Sequence, residues 1–220
     1  QELQNGGTSP VRTTTSNALT VEDTVPPAVS GTPININFID SDNEGYHGVI
    51  LHQPTNRMWF TPFRSEYVVG IKVDDFSDIV SYLVPAMSGN NNDYLWGGST
   101  ILPNDKILYV PFYAKQFAIF DPEGATDAER WKYFETLGNG FKFAGAIVSS
   151  YNETPYALPY REGGIWKIDY LNATATEVVE TGNPQYGPAT EGPDQKIYLA
   201  PGTGPIMGIF DPSDDSFVSV

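Results

Sequence analysis

Apolar and polar residues alternate along this chain in short runs, and the runs recur. From Lys106, KILYVPFYAKQFAIFDPE reads as two strands, 107–110 and 117–120, both rich in β-branched and aromatic residues. A Pro-initiated loop joins them, and Asp121-Pro122 stops the second. The pattern returns as RMWFTPFRSEYVVGIKVDD from Arg57, TPYALPYREGGIWKIDY from Thr154 and KIYLAPGTGPIMGIFDP from Lys196. A proline closes the first strand of each copy: Pro62, Pro111, Pro159 and Pro201, spaced by 49, 48 and 42 residues.

Other columns follow the prolines. A glycine stands 13 or 14 residues before each, at Gly48, Gly98, Gly145 and Gly187. One or two residues before each glycine is an aromatic: Tyr46, Trp96, Phe143 and Tyr186. A tight turn begins eight residues before each proline, as PTNR, PNDK, YNET and PDQK. An aspartate lies ten or twelve residues after it, at Asp74, Asp121, Asp169 and Asp211. Each copy thus reads as four strands, a to d, with d the least regular: 79–84, 131–137, 177–180 and 216–220. Four strands at this period define a propeller blade, a sheet with two apolar faces that only neighbouring blades can bury. A parallel β-helix has shorter repeats, and a sandwich lacks the internal repetition. The predicted fold is all-β: a β-propeller of four four-stranded blades over residues 46–220, preceded by an extended N-terminal arm.

That arm, residues 1–33, carries TTTS, Pro26-Pro27 and Gly6-Gly7 with almost no aromatics. Such a composition cannot bury enough apolar surface to fold alone, and reads as a tail or as an arm that docks on another subunit. Residues 34–45 then supply a strand and an acidic turn. Ile34, Ile36 and Phe38 alternate with Asn35 and Asn37, so this strand outside the repeats predicts pairing with another sheet edge, with a second copy of the chain as partner.

The repeat sequences resemble the YVTN-type propeller repeats of microbial surface proteins. YVPF…FAIFDPEG and IYLAPG…MGIFDPSDDSF carry the resemblance, with Pro where that family usually has Asn. It implies a blade fold and an extracellular or cell-surface setting, and no particular activity. MWFTPF…VVGIKVDD is also similar to the repeats of streptogramin lyases, which implies a propeller with a catalytic histidine.

Charge narrows the partners. With 12 basic against 27 acidic residues and a net charge of -15, nucleic acid and membrane insertion are not expected. There is no cysteine, which removes thiol catalysis and disulfides. No leader-like stretch opens the sequence, and a start at Gln1 instead of Met is read as processing. Asn152-Glu153-Thr154 and Asn172-Ala173-Thr174 are glycosylation sequons, both at hairpin tips of the third repeat.

In propeller geometry the a–b and c–d turns share one end of the blades, and the b–c and d–a loops share the other. The b–c loops hold Phe63, Arg64 and Tyr67, then Phe112, Tyr113 and Lys115, then Tyr160 and Arg161. The fourth, Gly202-Thr203-Gly204-Pro205, reads as bare. Cations beside aromatic plates in so acidic a chain suit a glycan, a carboxylate or a peptide. Asp40, Asp42 and Glu44 precede Gly45 with the spacing that opens a calcium loop, but position 12 is Leu51, so an acidic turn is the plainer reading and Ca2+ the alternative.

Enzyme signatures are sparse. His47 and His52 are the sole histidines, and five residues apart on a strand they are expected on opposite faces. No sialidase-type Asp box, Gly-rich phosphate loop or nucleophile elbow occurs. The expectation is a non-catalytic, extracellular, structural or adhesive propeller that self-associates through its arm. The alternatives are a ligand-binding module using the b–c end, and a lyase or hydrolase with His47 or His52 as base.

Overall fold

A computed structural model describes residues 45–85, 95–138, 140–161, 163–182 and 185–220. The arm, the strand with Ile34, Ile36 and Phe38, and the acidic turn with Asp40, Asp42 and Glu44 lie outside these residues. Among the described residues, sixteen strands fall into four antiparallel sheets, each in chain order. Blade 1 is β1 (Tyr46–His52), β2 (Arg57–Pro62), β3 (Tyr67–Lys72) and β4 (Ile79–Leu83). Blade 2 is β5 (Trp96–Ile101), β6 (Ile107–Pro111), β7 (Phe117–Phe120) and β8 (Trp131–Phe134). Blade 3 is β9 (Phe143–Val148), β10 (Pro155–Pro159), β11 (Ile165–Asp169) and β12 (Thr174–Val179). Blade 4 is β13 (Tyr186–Glu191), β14 (Ile197–Pro201), β15 (Gly208–Asp211) and β16 (Ser216–Ser219). The predicted four-stranded blades are therefore present. One helical turn, α1 (Asp127–Arg130), enters β8 behind a Thr126–Glu129 capping box.

The sequence columns now have causes. Each closing proline sits opposite its blade's aromatic: Tyr46 and Pro62, Trp96 and Pro111, Phe143 and Pro159, Tyr186 and Pro201. Beyond that pair every a–b ladder slips, which is a bulge at the glycine step. The glycine is needed where inner strands meet: a Cβ on Gly98 would come within 2.7 Å of the Gly145 Cα in the next blade. The tight turns share one backbone device. Asn56, Asp105, Glu153 and Gln195 occupy the same place in the four a–b turns, and all are left-handed, with φ between 50° and 63°.

Each b strand shows how the blades are joined. In β6, Ile107 and Tyr109 enter a core shared with Trp59 and Val68 of blade 1. Leu108 and Val110, on the other face, enter a core shared with Ala157 and Ile168 of blade 3. A third core joins Tyr156 and Leu158 of blade 3 to Ile197 and Leu199 of blade 4. A strand buried on both faces reads as a continuous apolar run, which is why ILYV stood out. One main-chain bond also repeats between successive blades. Leu95 N donates to the Phe63 carbonyl at 2.6 Å, Lys142 N to that of Phe112 at 2.9 Å, and Tyr186 N to that of Tyr160 at 3.0 Å.

Candidate functional site

The residues just after the prolines stand at the b–c end of the blades, and the inter-blade hydrogen bonds fix their spacing. Phe63, Phe112 and Tyr160 therefore form a file. Phe63 and Phe112 have ring centroids 5.3 Å apart, and Phe112 and Tyr160 5.1 Å. His47 extends the file from blade 1, 5.2 Å from Phe63. Phe141 thickens it, 5.0 Å from Phe112 and 5.4 Å from Tyr113. These rings are half-buried, and His47 is exposed. The b–c loops beneath them are tied down: the Leu95 carbonyl accepts from Phe112, Tyr113 and Ala114 N–H at 3.0, 3.3 and 3.1 Å, and Gly45 does the same for Phe63, Arg64 and Ser65 at 3.0, 3.3 and 3.1 Å.

Two cations lie on the file. The Arg161 guanidinium is 5.8 Å from the Phe141 ring centroid. The Gln185 amide, oriented so that it donates to Thr203 Oγ1 at 2.7 Å, accepts from Arg161 Nε at 2.8 Å and Nη2 at 3.3 Å. The fourth loop is thus not bare, because Thr203 helps to aim Arg161. The buried Lys142 ammonium donates to the carbonyls of Ala114 (3.1 Å) and Gly140 (3.0 Å) and lies 5.9 Å from the Tyr113 ring. Along the axis below, the inner strands of all four blades line a cavity of about 250 Å³, with His47, Gly97, Gly145 and Pro188 among its walls.

Of the residues singled out from sequence, the structure brings together Phe63, Phe112, Tyr113, Tyr160 and Arg161. Arg64 shares the Gly45 cap through its backbone, and the Lys115 carbonyl accepts from Leu137 N at 2.8 Å. Tyr67 belongs elsewhere: it is in register with Leu83 on the face of blade 1 turned away from blade 2. His47, named from the sequence as a candidate base, joins the file instead, and Phe141, Lys142, Gln185 and Thr203 were missed. Phe141 and Lys142 lie in the d–a connection, which reaches the same end as the b–c loops, so an aromatic search of both loop sets would have found them.

The histidines need a correction. They do not point to opposite faces, because the bulge between Tyr46 and Val49 inserts a residue; Gly48 has φ +101° there. Both rings reach blade 2. His47 Nδ1 bonds the Gly97 carbonyl at 2.8 Å, and His52 Nε2 the Asp105 carbonyl at 2.6 Å. A carbonyl only accepts, so each of those nitrogens carries the proton. Fully buried His52 spends its other nitrogen on Thr55 Oγ1 at 2.7 Å, which makes it a structural clamp. On His47 the same logic leaves Nε2 as the basic nitrogen of the neutral ring. No group of three or more metal-ligating side chains occurs among the described residues.

The opposite end has different chemistry. Asp211 accepts from Lys196 at 2.6 Å and caps Ser213, which holds its carboxyl down at about 2. Lys106 pairs with Asp121 in the same way at 2.9 Å. In blade 3 the partner is Asn172, whose Nδ2 donates to Asp169 at 2.7 Å and lowers that carboxyl also. Both sequons border one cavity here, of about 480 Å³. Asn172 is exposed, whereas half-buried Asn152 already donates to Tyr156 Oη (3.1 Å) and the Pro212 carbonyl (3.4 Å).

No family model and no curated protein matches this chain. The YVTN-type resemblance therefore holds at the level of the blade, without family membership. Solved structures do match, and they are β-propeller proteins of varied function. A histidine-to-alanine, catalytically inactive virginiamycin B lyase from Staphylococcus aureus, solved with quinupristin, is 18% identical with a TM-score of 0.64; it aligns over 81% of this chain and 57% of its own. Hydrazine synthase from Kuenenia stuttgartiensis is 11% identical with a TM-score of 0.62, over 87% and 52%. The RRP9 WD40 repeats are 7% identical with a TM-score of 0.59, over 82% and 52%. At these identities the likeness is one of fold. The chain spans little more than half the length of each.

Proposed function

We propose that this chain is a ligand-binding propeller module whose b–c end grips a ring-bearing ligand, a sugar or a compact cyclic peptide, beside Arg161. The observation that carries this reading is the aromatic file from His47 through Phe63 and Phe112 to Tyr160, held at stacking distance across three blades. Contiguous tilted rings with a neighbouring guanidinium offer apolar area and a directional positive charge, in a protein whose net charge is -15. An extracellular setting belongs to the proposal, supported by the exposed Asn172 sequon. Adhesion through the N-terminal arm rests on residues outside the described part and adds nothing to the site.

A lyase reading has one observation in its favour. His47 is exposed at the rim of the axial cavity with Nε2 as its basic nitrogen, and one similar structure is a lyase disabled by loss of a histidine. The test covers both. The protein is screened on a glycan array and titrated with quinupristin, followed by mass spectrometry of the peptide. Binding that falls at least tenfold in Phe112→Ala supports the module, and a ring-opened product of unchanged mass, recognised by its retention time and fragmentation and absent with His47→Ala, supports the lyase. Binding that is indifferent to Phe112→Ala contradicts the assigned site.

A further inference from the structure

Cations at the two ends of the blades are held in different ways. At the a–b and c–d end, Arg57, Lys106, Arg130 and Lys196 each hold an aspartate, at 2.7, 2.9, 3.2 and 2.6 Å. Their charge is spent inside the chain. Arg161, at the b–c end, is anchored by a neutral group instead. The side-chain carbonyl of Gln185 takes its Nε–H and one Nη2–H, at 2.8 and 3.3 Å, and Thr203 Oγ1 fixes that amide from the other side at 2.7 Å. Among the described residues no carboxylate lies within ion-pair distance of Arg161, although the chain has 27 acidic residues against 12 basic ones.

The main chain sets this anchor. Tyr186 N donates to the Tyr160 carbonyl at 3.0 Å, so Gln185 and Arg161 are the sequence neighbours of one blade-to-blade hydrogen bond. Gly202 N donates to the main-chain carbonyl of Gln185 at 2.7 Å, which brings Thr203 to the same amide. A guanidinium has five N–H groups, and Gln185 uses two from the Nε side. The donors that remain include one from Nη1 and one from Nη2, the parallel pair that matches the two oxygens of a carboxylate. Arg161 is exposed, so that pair is open to a ligand. It stands 5.8 Å from the Phe141 ring, which is itself 5.0 Å from Phe112. A six-membered ring lying on these aromatics brings a group on its rim to the guanidinium.

We propose that the b–c end selects ligands that carry a carboxylate on the ring. Arg161 receives the carboxylate end-on, and Gln185 is the positioning residue that aims Arg161 without neutralising it. The proposal rests on the ring-binding function of this end and adds the charge of the ligand. A net charge of -15 repels anions overall, so a preference for the acid has to arise from this local geometry. The shared chemistry is a carboxylate one bond from a six-membered ring, as in a uronic acid or an aromatic acid.

Two probe pairs differ only in that group: methyl β-glucuronide against methyl β-glucoside, and benzoate against benzamide. Each is titrated to about 30 mM into the whole 220-residue chain, and affinity is read from the amide NMR shifts of residues 63–65, 112–114 and 160–161. The acid of at least one pair is expected to bind about tenfold tighter than its neutral partner, the size of one charge-assisted contact, with the ratio shrinking in added salt. The pair that responds tells a sugar acid from an aromatic one. Arg161→Gln is expected to invert the ratio, because the net charge then acts alone. Gln185→Glu gives Arg161 an internal carboxylate and is expected to bring the ratio to one or below, whereas Arg161→Lys keeps a reduced preference. Phe112→Ala is expected to weaken both members of a pair. Equal binding of acid and neutral members, weakened in Phe112→Ala, overturns the inference and leaves the ring-binding function standing. A preference for the acid that survives Arg161→Gln or Gln185→Glu overturns it as well. Shifts from no probe at these residues overturn both.

Discussion

The two ends of the blades are built from the same repeat and have become different materials. At the a–b and c–d end, carboxylates close turns. Asp169, Asp194 and Asp211 accept from Asn172, Tyr198 and Lys196, and all three titrate below their ordinary range because of those bonds. Their acceptor capacity is spent locally, which suits a surface that fixes hairpins and stays solvated. At the b–c end, backbone amides close the loops instead, through the Gly45 and Leu95 carbonyls. Ser65 still makes a turn there, accepting from Tyr67 N at 3.0 Å, but the aromatic rings and Arg161 are released to occupy the surface. The difference shows that a repeat can carry a site where the main chain does most of the work of closing the loop.

The largest expected effect comes from the frame that both ends share. Trp96 is fully buried, stacked 5.1 Å from Tyr109 and 5.9 Å from Trp131, and its Nε1 donates to the Gln116 carbonyl. Trp96→Ala is expected to cost about 3–5 kcal/mol in denaturant unfolding. A loss below 1 kcal/mol would mean that the blade 1–blade 2 core does not hold the array together.

The remaining predictions act on the turn end alone. Gln195 holds φ +63° in the blade 4 turn, a conformation that glycine adopts without steric penalty. Gln195→Gly is expected to stabilise by up to about 1 kcal/mol, less the entropy that glycine adds to the unfolded chain, and to leave ligand binding unchanged. A destabilised variant would show that the Gln195 side chain matters to the turn.

The smallest effect is in acid. The Asp211 carboxyl titrates at about 2 in the fold against an ordinary 3.8, so its contribution is present above pH 4 and is lost as pH falls towards 2. Thermal midpoints of the parent and Lys196→Ala should therefore differ by a small margin at pH 6 and converge near pH 2. A gap that persists at pH 2 would mean that Lys196 stabilises by packing.

Much of the fold was legible because its causes are local. The aromatic, glycine and proline columns mark a cross-strand pair, a bulge and a strand end, each within one hairpin. The d strands were less so: β12 begins at Thr174, earlier than the reading from Glu177, because Thr174 and Ala175 carry little apolar signal. The helical turn at 127–130 is too short to show a period. At the site, Phe63, Phe112 and Tyr160 could be named because they follow the prolines. Phe141 was within reach of a search of the d–a connections, but the place of His47 in the file was not, since it depends on how one blade leans on the next. The glycine column showed a recurrent residue but not the slip in the β1–β2 ladder, which inverted the expected orientation of the histidines.

The central claim is that the b–c end is the binding surface, and amide hydrogen exchange with a bound ligand from the screen reads it most directly. The account predicts slowed exchange at residues 63–65, 112–114 and 160–161, with residues 149–154 and 169–174 unchanged. Protection confined to those latter turns would place the ligand at the carboxylate end and contradict it.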